Sequence, residues 1–204
     1  LTEGTCNREL NHARKDGAIF PTRMSVSLIT QANGKPLGFL GIACDITAEV
    51  QQREKEKHDT EIRTCIVDVS ARFMQVNDPA HFDTVIQYTL ATFGQCLHMD
   101  RCTYIRFSED LAYMTTAQDW HRPGVTLPME GPDEQPTEST PWWMAQMRDL
   151  KITCIPNLGT LPAAASIEKQ ALLIQGLQYS LSLPIHSTNT RLAGAFVFDA
   201  TQPS

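Results

Sequence analysis

Between Ala48 and Asn77 the chain contains neither glycine nor proline, and this gap constrains the fold more than any other feature. Glycine and proline are the residues that break helices, so their absence over a polar and apolar mixture predicts one unbroken helix. At 1.5 Å per residue it is about 45 Å long, which divides the chain into a part before it and a part after it. Its two halves differ. Gln51 to Glu61 is polar on all sides, so burial cannot hold it, and i,i+4 charge pairs or a partner helix must. From Ile62 the pattern changes: Ile62, Ile66, Val69, Phe73 and Val76 step by four, three, four and three, a heptad stripe. Two readings follow. The stripe is the seam of a two-chain helical linker, or the helix is a solvated connector whose stripe packs on the next domain.

Ahead of the helix, residues 7 to 46 read as an antiparallel meander. Lys15-Asp16-Gly17 and Ala32-Asn33-Gly34-Lys35 are hairpin turns of the Asp-Gly and Asn-Gly kind. The strand Leu37 to Ile46 is apolar almost throughout, which predicts a central or well-covered position. Three strands alone are marginal, so their inner face needs a cover. The chain begins at Leu1 and reads as a piece of something longer. Thr47 stands where it can cap the helix by accepting a first-turn N–H.

Beyond the helix, Asp78-Pro79 is a start signal for a second helix, because proline loses nothing in the first turn. Phe82, Val85, Ile86, Leu90, Phe93 and Leu97 give that helix one apolar face. Strands are predicted over 101–107, 111–120, 151–155, 177–186 and 191–200, with short helices over 141–150 and 166–175, the latter started by Ser166 and ended by Gly176. His121 to Thr140 carries four prolines and reads as a long loop. A hairpin turn is expected at Ser187-Thr188-Asn189-Thr190. The fold class is therefore α+β, an antiparallel sheet with helices packed on it, preceded by a three-stranded remnant and a linker helix.

Charge and composition narrow the function. Seventeen Lys and Arg stand against 23 Asp and Glu, a formal net charge of -6, and no basic surface is on offer to nucleic acid or an anionic membrane. No apolar run approaches the ~20 residues that span a bilayer. Six cysteines at 6, 44, 65, 96, 102 and 154 include no CxxC pair and read as reduced thiols of a cytoplasmic protein. No metal site is expected: Cys96 and His98 do not make a four-ligand set. No glycine-rich phosphate loop or nucleophile elbow occurs.

Several of these segments match known families. Arg14-Lys15-Asp16-Gly17, Met24-Ser25-Val26-Ser27, Asn33-Gly34-Lys35-Pro36-Leu37-Gly38 and Gly41-Ile42-Ala43-Cys44-Asp45-Ile46-Thr47 resemble the C-terminal half of a PAS domain. In that family the closing Asp-Ile-Thr couples the sheet to the outgoing signalling helix, a role the resemblance gives to Asp45 and Thr47. Asp100 to Phe107, Ser182-Leu183-Pro184-Ile185 and Leu192 to Phe198, with the order of elements, resemble a GAF domain without its last helix. The resemblance implies a division into 1–47 (PAS remnant), 48–77 (linker helix) and 62–204 (GAF). It also implies a sensory module of a bacterial signalling protein, such as a histidine kinase or a cyclic-di-GMP enzyme of the GGDEF or EAL type. The fragment itself is then non-catalytic and works as a homodimer on an output domain of the same chain.

The ligand is not named by the sequence, and no cofactor is implied. The cyclic-nucleotide signature of some GAF domains is missing, and no Cys-His dipeptide marks a bilin site. Trp120, Trp142 and Trp143 could cover a flat small molecule, with Arg106 facing an anion; the plainer reading is that they are core and edge aromatics. One alternative is enzymatic. A GAF family reduces free methionine sulfoxide with cysteines, and Cys96 with Cys102 would have to supply the thiols.

Overall fold

The structure is a computed structural model describing residues 5–125, 134–187 and 191–202. It divides into two units, Leu1–Glu61 and Ile62–Ser204. The expected turn at 187–190 falls largely outside the described residues.

The first unit is the predicted meander: β1 (Thr5–Ala13), β2 (Ile19–Thr30) and β3 (Pro36–Asp45), paired antiparallel in that order. Gly17 and Gly34 take positive φ of 88° and 79° at the two turns, as these turns demand. Asp16 and Asn33 each accept a hydrogen bond from the backbone N–H two residues on, which closes the turn from the side. One expectation fails. β3 is an edge strand and β2 the central one, and Leu37, Phe39, Leu40 and Ile42 are all exposed, Phe39 to 78%. An apolar run marks what a strand could bury, not what lies beside it. In this unit only Thr22 and Ile46 are buried among the described residues.

Helix α1 runs Thr47–Phe73, unbroken as predicted but ending before Asn77. Its start corrects the sequence reading: Thr47 donates rather than accepts. Asp45 Oδ1 takes the Thr47 N–H at 3.0 Å and its hydroxyl at 2.5 Å, so the carboxylate two residues before the first helical residue satisfies the helix's first donor. Within the polar stretch Lys57 faces Glu61 as an i,i+4 charge pair of the expected kind and Gln52 bonds Glu56 at the same spacing; just ahead of it, Arg23 bridges Glu49 at 2.6 Å.

The heptad stripe divides. Val69 is 6% exposed and Phe73 packs on the core of its own chain, edge-on to Phe82. Val76 lies past the helix end. Val69 and Phe73 are thus packed within their own chain, and Val76 stands outside the helix that carries the stripe. Ile62 is half-buried, whereas Ile66 is 48% and its neighbour Val67 69% exposed.

The second unit is a six-stranded sheet with helices on both faces. In chain order it contains α2 (Pro79–Cys96), β4 (Arg101–Phe107), β5 (Tyr113–His121), β6 (Glu134–Pro136), α3 (Pro141–Arg148), β7 (Thr153–Ile155), α4 (Ser166–Ile174), β8 (Tyr179–His186) and β9 (Leu192–Ala200). The strand order is β6-β5-β4-β9-β8-β7, antiparallel throughout. This is the expected α+β class; β6 adds a strand inside the segment read as loop. Asp78 caps α2 through the His81 N–H at 2.8 Å. Ser166 is not a cap but the first helical residue, and the preceding Ala165 offers no side-chain acceptor.

Side-chain alternation along the strands sorts the two faces. Cys102, Tyr104 and Phe198 point to α2 and pack with Ile86 and Leu90. Met144 and Met147 of α3 cover the other face against Ala195 and Leu192.

Candidate functional site

The opposite parity of β4 opens onto a cavity. Arg101, Thr103 and Ile105 alternate with the α2-facing residues and form its floor, with Val197 and Asp199 of β9 beside them. The roof is α3 and α4, through Trp142, Trp143, Glu168, Ala171, Leu172 and Gln175. The cavity volume is about 180 Å³.

Its floor holds a buried ion pair. Arg101 donates from Nε and Nη2 to one oxygen of Asp199, Oδ2, at 3.0 and 2.7 Å, and Nη2 also reaches Gln175 Oε1 at 2.8 Å. Both side chains are almost fully buried, at 7% and 1% exposure. Such a pair is held by geometry, because desolvation offsets much of the Coulombic gain. Across the cavity Glu168, 5% exposed, accepts the Trp142 and Trp143 backbone N–H groups on Oε1 at 2.8 and 3.1 Å. The Thr140 side chain makes no cap bond; Glu168 caps α3 from another helix. Trp143 Nε1 donates to Ser182 Oγ at 2.9 Å, which fixes the indole in the wall.

These bonds leave a remainder. Glu168, Asp199, Thr103 and Thr140 line the cavity, and Glu168 Oε2, Asp199 Oδ1, Thr103 Oγ1 and Thr140 Oγ1 are buried with no hydrogen-bond partner among the described residues. Leaving such atoms unbonded costs about 1–3 kcal/mol each, more when charged, and buried polar groups in proteins are as a rule satisfied. The described lining carries one cation, Arg101, and two anions, Glu168 and Asp199.

The residues singled out from sequence fall on both sides of the sheet. Trp142 and Trp143 line the cavity. Trp120 does not: it pairs across from Cys102, on the α2 face, and covers Gly94. Arg106 has the parity of Tyr104, is exposed, and stands outside the cavity. Arg101, five residues earlier, is the guanidinium that faces it. Strand parity carried that signal; Glu168 had no local one, since its hydrogen bonds span 25 and 26 residues.

No cysteine lines the cavity among the described residues. Cys96 is half-buried at the end of α2, and Cys102 is fully buried under it. Burial, with the Asp199 charge adding to it, pushes the Cys102 thiol far above its ordinary range, so it is a poor nucleophile. Among the described residues no group of three His, Cys, Asp or Glu could hold a metal ion, and no helix is long and apolar enough to cross a membrane.

No family model matches this chain, and no curated protein does. Solved structures do. The phycoerythrobilin-bound GAF domain of a cyanobacterial phytochrome superposes with a TM-score of 0.58 at 16% identity, over 72% of this chain and 84% of that one. A phycocyanobilin-bound GAF domain from a cyanobacterial phytochrome gives 0.57 at 18%, over 70% and 81%. The chromophore-binding domain of Stigmatella aurantiaca phytochrome P1 gives 0.53 at 13%, over 96% of this chain and 66% of that one. At these identities the likeness is one of fold.

Proposed function

We propose, from a chain with a GAF-like α+β fold, that this is the sensory module of a bacterial cytoplasmic signalling protein, its cavity the receptor site for a small molecule. The carrying observation is that cavity: set between sheet and helices, apolar in most of its wall, and lined by residues with buried polar atoms that the described residues leave unbonded. That combination is what a small-molecule site needs. Residues 1–47 supply the end of a PAS domain, and Asp45 with Thr47 fastens β3 to α1. Helix α1 passes the change toward an output domain of the same chain, a histidine kinase or a cyclic-di-GMP enzyme. A ligand does this only by binding one of two packings of the module better than the other. The working form is a homodimer joined through the exposed Ile66 and Val67.

Two of the structural neighbours named above are bilin-bound, and the ligand here is of another kind. About 180 Å³ falls below the roughly 300–1,000 Å³ of pockets that hold drug-sized ligands, and the described lining has no thiol for covalent attachment. The ligand is thus small and colourless.

Thermal unfolding of the whole chain across a library of single-ring compounds tests this. A compound at 100 times its Kd stabilises the chain by about 2.7 kcal/mol. The expected result is a hit whose effect disappears in Ala171→Phe, which fills the cavity. No hit in any charge class overturns the reading.

A further inference from the structure

The unbonded atoms specify the ligand's chemistry, on the reading that the cavity is a receptor site. Two of the four, Glu168 Oε2 and Asp199 Oδ1, are carboxylate oxygens on side chains 95% or more buried, with relative exposures of 5% and 1%. Carboxylate oxygens only accept. The two threonine hydroxyls serve either way and do not bias the choice. The guanidinium that would favour an anion is engaged through two of its three nitrogens: Arg101 spends Nε and Nη2 on Asp199 and Gln175, while Nη1 is in none of these bonds and is one donor against the two carboxylate oxygens. The described lining therefore presents one more negative charge than positive. The helix N-terminus of α3 offsets part of the Glu168 charge, but its donors meet Oε1 and leave Oε2 open.

The walls specify shape. Trp142 and Trp143 line it from α3, with Ile105, Met114, Leu172 and Val197 completing the apolar surface. Tryptophan faces favour a flat cation over a flat anion. A cavity of 150 Å³ holds a benzene ring, so about 180 Å³ holds one ring with a small substituent.

We propose that the cavity binds a small planar cation bearing N–H donors, of the amidine or amino-heterocycle class, hydrogen-bonded to Glu168 Oε2 and Asp199 Oδ1. The ring lies against the tryptophans and the donors face the carboxylates. No covalent step is involved.

Three probes of nearly one shape separate the possibilities: benzamidine (cation, donors), benzoate (anion, acceptors) and toluene (neither). Each is titrated into the whole chain by calorimetry, with two-dimensional NMR following the Trp142 and Trp143 amides. The expected order is benzamidine tightest, with benzoate at least about tenfold weaker, the scale of a charge-assisted hydrogen bond. Glu168→Gln keeps an acceptor for the α3 amides while putting an N–H where Oε2 was. It is expected to weaken benzamidine by about tenfold or more and to narrow the gap to benzoate. Thermal melting of Glu168→Gln establishes that the variant is folded, and Asp199→Asn repeats the test should it not be. Benzoate binding best, toluene binding best, or benzamidine binding unchanged in both variants overturns the donor-cation assignment and leaves a receptor cavity of other chemistry. Binding of none of the three, with no compound of the wider library either, removes the receptor site itself.

Discussion

A tryptophan at a strand end can line a ligand site or close a core, and strand parity decides which. Trp120 lies opposite Cys102, so its ring goes to the α2 face and settles over Gly94. A Cβ built on Gly94 would stand 2.2 Å from the ring, closer than any real contact. Gly94→Ala is therefore expected to destabilise the chain by about 1–3 kcal/mol, the usual cost of overpacking. Urea unfolding measures it, and adding Trp120→Leu is expected to recover most of the loss. The same parity argument separates Arg101 from Arg106. The sequence shows both on one strand, and alternation alone puts them on opposite faces. What the sequence could not show is which face holds a cavity, because that depends on where α3 and α4 pack. Glu168 was invisible for the same reason. Its role exists only once two helices distant in sequence lie side by side.

Helix α1 shows what periodicity reveals and what it hides. The absence of glycine and proline located it to within a few residues, and its polar half follows the expected surface pairs. The stripe marked an apolar face, but periodicity cannot say whether that face meets the same chain or another. Val69 and Phe73 meet the same chain. Ile66→Asp is thus expected to leave the fold intact and, on the dimer proposal, to yield monomers in size exclusion with light scattering. Val69→Asp is expected to unfold the chain instead, since it buries a charge. An Ile66→Asp dimer removes α1 from the interface. The helix start responds to acid. Hydrogen bonds from Thr47, with Arg14 beside it, hold the Asp45 carboxyl below its ordinary 3.8. A lowered folded pKa means stabilisation that is present above the unfolded value and lost as pH falls through the folded one. An amide titration is expected to show Thr47 moving in step with Asp45 below pH 3.8, and losing that step in Asp45→Asn.

For the molecule as a whole, the two units differ in what they bury. Ile62–Ser204 has a core on each face of its sheet. Leu1–Glu61 leaves Leu10, Leu28, Leu37, Phe39 and Ile42 exposed and buries almost nothing. A three-stranded sheet without a cover is not independently stable. A chain of residues 62–204 is expected to melt cooperatively, and residues 1–61 alone to show no thermal transition by circular dichroism. The sequence made this asymmetry legible in part. Turn signals and alternation were enough to find the strands, and the marginal stability of three strands was expected. The exposure of β3 was not legible, since an apolar strand looks alike at the centre and at the edge.

The bond from Glu168 to the first turn of α3 also sets a clock. The Trp142 and Trp143 amides exchange with solvent when that carboxylate, carried on the other helix of the cavity roof, lets go. Deuterium uptake at those two positions therefore counts the releases of the bond that ties α4 to α3. An occupant that holds the roof shut slows both amides together.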